Sequence, residues 1–125
     1  MKHRKRHFLA ILKVELDDLH ADIEQLINEC NKEHEGGKLT DYVCLENLCV
    51  FKNELLGVDV FARIIDTTDP DQFESLTELK ANLKNAFREK IRAAGLVPAI
   101  VRYVERKMNK VEGYVTRHQP DSVPT

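Results

Sequence analysis

Leu9, Leu12, Leu16, Leu19, Ile23, Leu26 and Cys30 recur at alternating intervals of three and four residues. That interval gathers them on one side of an α-helix, whereas the faces of a strand alternate residue by residue. A seam held over three heptads belongs to a helix that lies lengthwise against other helices. Gly36-Gly37 stops the pattern, because glycine takes the left-handed cap that ends a helix without steric cost. A first helix is therefore expected over residues 5–35.

The rest of the chain repeats this grammar. Thr40 is a good N-cap for a second helix, whose seam reads Cys44, Leu48, Phe51, Leu55, Val58, Ala62 and Ile65. The polar run 66–71 closes it. Asp69 as N-cap, Pro70 at the first helical position and Gln72 in the capping-box position predict a third helix from residue 70 to the stop at Gly95. Its acids (Asp69, Asp71, Glu74, Glu78) precede its bases (Arg88, Lys90, Arg92), which suits the helix dipole. A fourth helix is expected from Pro98, with the seam Val97, Val101, Val104, Met108, Val111 and Val115. Short connections between helices of this kind make neighbours antiparallel. The expected fold is all-α: a single-domain, up-down-up-down antiparallel four-helix bundle over residues 1–117. Residues 118–125 carry two prolines and no periodicity, and are expected to form a disordered tail.

A chain of 125 residues buries enough surface to fold without a metal or disulfide. Its three cysteines, Cys30, Cys44 and Cys49, are odd in number and sit in helical pattern, which speaks against a secreted disulfide scaffold. The basic start has neither the apolar run nor the cleavage site of a signal peptide, and no stretch is long and apolar enough to span a membrane. A cytoplasmic location is the expectation.

The second helix breaks the pattern of its neighbours. Over residues 43–65, fifteen of twenty-three residues are apolar, too many for one stripe. Away from the seam lie Tyr42, Val43, Cys49, Val50, Leu56, Gly57, Val60 and Ile64, where a surface helix carries charge. Gly57 costs a helix interior about 1 kcal/mol against Ala, which is tolerable where another backbone comes close. Either the other helices cover this face or a second copy does. Val43, Val50, Leu56, Gly57, Val60 and Ile64 are the expected interface of a homodimer, with Phe8, Ile11, Val14, Ile100 and Tyr103 as possible additions.

Charge is unevenly spread. Residues 1–13 carry five bases and no acid, and residues 14–35 carry eight acids and one base. In an up-and-down bundle Lys2, Arg4, Lys5 and Arg6 would share one pole with Lys107, Lys110 and Arg117. Such a basic pole can meet phosphates, although the net charge of −2 gives no global attraction to nucleic acid.

Motifs for chemistry are sparse. Asp17-x-x-His20 occurs once, where a di-iron bundle needs Glu-x-x-His on two helices. Cys30, His34 and Cys44 supply mixed ligands for zinc or copper but lack a clear fourth. Glu15, Asp18 and Asp22 form an acidic ridge such as magnesium-dependent hydrolases use, without a matching pair on the second helix. No nucleophile–base pair, phosphate loop or dinucleotide fingerprint is present, and no cofactor is implied. The expected function is a non-enzymatic interaction or scaffold protein that self-associates through the second helix or meets another protein partner. The alternatives are a small nucleic-acid-associated regulator acting through the basic pole, and a magnesium-dependent hydrolase acting through the acidic ridge.

Overall fold

The three-and-four periodicity becomes four α-helices in the computed structural model, which describes residues 2–118. They are α1 (Lys2–Glu35), α2 (Asp41–Asp66), α3 (Leu76–Ala94) and α4 (Ala99–His118). The ends follow their local chemistry. Gly37 and Gly95 sit at φ 78° and 67°, the left-handed caps that let the last amides bond back into the helix. Lys38 N–H donates to Glu33 O at 2.8 Å and Leu96 N–H to Ile91 O at 3.1 Å. The Thr40 hydroxyl accepts from Val43 N–H at 3.2 Å and starts α2. The tail expectation falls on residues outside those described, apart from His118, the last residue of α4.

The third helix starts later than its first signal. Asp69 does cap, accepting from Asp71 N–H at 3.0 Å, but Pro70–Gln72 makes only a 3₁₀ turn. Ser75 then caps α3 by accepting from Glu78 N–H at 3.1 Å. Glu78 reaches back to accept from Glu74 N–H at 2.9 Å. The pattern Ser75-x-x-Glu78 is itself a capping box, and it prevails because Phe73 O is held out of any helix as the acceptor of the Lys5 ammonium.

Pairings across the helices define the topology. Lys13–Asp66 (2.5 Å), His20–Asp59 (3.4 Å) and His34–Asp41 (2.5 Å) run antiparallel between α1 and α2. Lys80–Glu112 (2.7 Å) and Arg88–Glu105 (2.6 Å) do the same for α3 and α4. Glu15 with Lys107 and Lys110, at 3.3 and 2.9 Å, closes α4 onto α1. The chain is an up-down-up-down four-helix bundle. Its core includes Phe8, Leu12, Leu16, Phe61, Leu79, Leu83, Phe87, Ile100, Val104 and Met108. Phe61 and Phe87 pack with ring centres 4.8 Å apart and planes tilted by 51°. Phe8 and Ile100, placed off the seam by heptad spacing, are fully buried. The stripe of α4 begins at Ile100 rather than Val101, because Ile100 meets Gly57.

Helix lengths are unequal, and this decides the surface. At 1.5 Å per residue, the 34 residues of α1 and 26 of α2 outrun the 19 of α3 and 20 of α4. The turn between α3 and α4 is pinned at the level of Asn53, whose side-chain oxygen accepts from Val97 N–H at 2.7 Å. Beyond that level α1 and α2 continue alone, as a two-helix arm of residues 26–35 and 41–52.

Candidate functional site

The second face of α2 divides at this boundary. Val43, Val50 and Gly57 lie seven residues apart, on one stripe. Gly57 is buried, and a Cβ there would stand 2.9 Å from both Cγ1 and Cγ2 of Ile100. The close approach inferred from glycine is real, but it comes from a side chain of α4 in the same chain. Val60 and Ile64 are half-buried against the core and share a shallow cleft with Lys90 of α3. For Gly57, Val60 and Ile64 the expectation of an outward interface is therefore corrected: α3 and α4 cover this half of the helix. Val50 and Val43 lie about two and four turns beyond Gly57, past the start of α4, and are exposed.

The open half of α2 has further members. Tyr42 is 76% exposed and Leu45 64%, and Leu56, one turn inside the boundary, is still 54% exposed. Cys49 is exposed beside them. Across the arm, Leu26 of α1 is 43% exposed although heptad spacing put it in the seam. The reason is height: no third helix reaches it. Heptad reading missed Leu45 because it flanks the seam, and its signal was only the excess of apolar residues on this helix. Of the possible additions, Val14 and Tyr103 are exposed and Ile11 is half-buried.

The start of α1 and the end of α4, where the basic pole was expected, come together: the His7 and Tyr114 rings meet edge-on at 6.4 Å. Its charges are mostly satisfied within the chain. Lys5 is buried and donates to Phe73 O. Arg6 pairs with Asp71 at 2.6 Å. Lys107 and Lys110 both hold Glu15, whose carboxyl is drawn below its ordinary range chiefly by the Lys110 hydrogen bond, while Lys110 is pushed up in return. Arg4 and Arg117 form no ion pair among the described residues, and the side chain of Lys2 lies outside them. The pole is thus much less available to phosphates than its count of bases implies.

The same contacts dismantle the acidic ridge. Glu15 faces α4 and its two lysines, so it does not stand with Asp18 and Asp22 as a free ligand set. Among the described residues no three of His, Cys, Asp and Glu gather where a metal ion could sit. His20 lies between Glu24 (3.2 Å) and Asp59 (3.4 Å), an exposed polar contact across α1 and α2.

No family model, curated protein or solved structure matches the chain.

One further group lies near the arm's boundary. Glu54 is half-buried, and that burial pushes its carboxyl above the ordinary range. It falls on the stripe of Phe61, seven residues on, which explains why a charged side chain is drawn inward. At the far end of the arm, Cys30 and Cys44 are the buried contact between α1 and α2, with Sγ–Sγ 3.5 Å. Among the described residues no helix is long and apolar enough to cross a membrane.

Proposed function

We propose that the protein is a non-enzymatic helical interaction module that self-associates, its α1–α2 arm pairing with the arm of a second copy. One observation carries this: beyond the α3–α4 turn, α2 exposes Tyr42, Val43, Leu45 and Val50 and α1 exposes Leu26, while Leu56, one turn inside the boundary, stays exposed at the edge of the arm. Two arms side by side and antiparallel restore, between them, the four-helix packing that each arm lacks alone. A two-fold arrangement of this kind is the commonest form of self-association.

Magnitudes support it. A patch of this extent is on the order of 500 Å², the upper end for monomers. Burying it yields on the order of 10 kcal/mol per copy, against association costs of about 4–15 kcal/mol in total. Charge favours a copy of the same chain over an unrelated partner. Residues 24–46 carry six acids and two bases, a net of −4, while residues 84–106, which surround the α3–α4 turn, carry six bases and two acids, a net of +4. In an antiparallel pair the acidic tip of each arm approaches the basic turn of its mate. All three thiols are free, which suits a reducing compartment such as the cytoplasm.

Val50→Glu with Leu56→Glu tests the reading by light scattering. Both side chains are exposed, so the fold should survive, and the mass should fall from dimer to monomer. Val60 is avoided because it packs on the core. An unchanged dimer mass in the double variant refutes the arm as the contact.

A further inference from the structure

The arm holds a second feature. Cys30 and Cys44 meet across the two helices with Sγ–Sγ 3.5 Å. Each thiol also lies near the other residue's carbonyl oxygen, at 3.7 and 4.0 Å. A disulfide needs about 2.05 Å, so closure asks each sulfur to move by less than an ångström. Both residues are about 95% buried, at 5% exposure each. They are not sealed, however: Cys44 lines an open cleft of about 340 Å³ with Asn31, His34, Asp41, Leu45 and Leu48. A small neutral oxidant fits such a cleft. The third cysteine is no competitor for the pair, since Cys49 lies five residues from Cys44, about 140° around the helix.

We propose that Cys30 and Cys44 are an oxidation site, a dithiol that hydrogen peroxide converts to an intrachain disulfide stapling the arm. The cleft exposes Cys44 first. Its thiolate attacks one peroxide oxygen, the O–O bond breaks, and the departing hydroxide leaves as water with the proton the thiol gave up. Cys44 is then a sulfenic acid. The sulfur of Cys30 displaces hydroxide from the Cys44 sulfur, the S–S bond forms, and the Cys30 proton leaves with that hydroxide as a second water. Two thiols and one peroxide give one disulfide and two waters; the sulfurs lose two electrons in all and the peroxide gains them.

The environment also sets the pace. Burial, with the Cys30 hydrogen bond adding to it, holds the Cys44 thiol above its ordinary range. Little thiolate is present at neutral pH, so closure is slow beside oxidation of the exposed Cys49 and quickens as pH rises. The product links residues 30 and 44 and closes a loop of fifteen residues. Such a link restricts the unfolded chain and raises Tm by roughly 10 °C.

The experiment uses the full chain carrying Cys49→Ser, treated with hydrogen peroxide under native conditions and then with dithiothreitol. The expected result is a loss of two hydrogens in intact mass, a peptide linking 30 to 44, a Tm raised by roughly 10 °C, and reversal of all three by the dithiol. Adding Cys30→Ser should abolish the hydrogen loss and leave Cys44 gaining oxygen instead. Oxygen gain without hydrogen loss in the Cys49→Ser protein, a link that joins two chains only, or a disulfide that forms only in denaturant overturns the proposal. These readouts come from the Cys49→Ser protein alone, so a poorly folded Cys30→Ser variant does not rescue it.

Discussion

Gly57 is where Ile100 of α4 presses against α2. Gly57→Ala places a methyl 2.9 Å from two carbons of Ile100, well inside the optimal carbon separation of about 3.5–4.0 Å. Ile100 is fully buried and cannot swing to solvent, so the contact is relieved only by moving α4. Overpacking of this kind costs about 1–3 kcal/mol, offset by about 1 kcal/mol of helix propensity that Ala returns. The single variant should lose up to about 2 kcal/mol. Ile100→Ala should lose about 2–5 kcal/mol by opening a cavity. In the double variant the new methyl enters that cavity, so the losses should fall short of additive by about 1–3 kcal/mol. Urea unfolding of the four proteins measures this coupling. Strictly additive losses would mean that Gly57 and Ile100 do not touch. A change in mass without loss of stability would put Gly57 in an intermolecular contact instead.

Two carboxylates give opposite pH signatures. Glu15 is drawn below its ordinary value of 4.5 by Lys110 and Lys107, so its contribution is complete above that value and fades as pH falls through the lower folded value. Urea midpoints of wild type and Glu15→Gln should differ at neutral pH, with the variant less stable, and converge in acid; a constant gap across pH counts against the ion pair. Glu54 is pushed above 4.5 by burial, so the folded chain binds its proton more readily and stability falls as pH rises between the two values. Glu54→Gln should therefore be more stable than wild type at neutral pH, with the gain vanishing below 4.5; a variant less stable at neutral pH refutes this.

The helices themselves were legible because their signals are local. Gly37 and Gly95 take left-handed conformations and Thr40 caps, each as its residue type dictates. The late start of α3 was legible too, in Ser75-x-x-Glu78, but Asp69-Pro70 offered an earlier and competing cap. What could not be read was height. Whether Val43 and Gly57, on one stripe of α2, face water or protein depends on where α3 and α4 end, and that level is set by a bond between Asn53 and Val97, 44 residues apart. No periodicity encodes it. The partners of the basic pole were hidden for a related reason. Counting bases shows neither that Lys5 turns inward to Phe73 O nor that one glutamate, Glu15, takes up both Lys107 and Lys110.

The arm's apolar face, left open by two short helices, is the feature on which the functional account turns. Sedimentation velocity of the unaltered chain across micromolar concentrations tests it most directly. The expected result is a dimer that weakens as salt rises, because acidic tips meet basic turns. A monomer at every concentration and at low salt would contradict it.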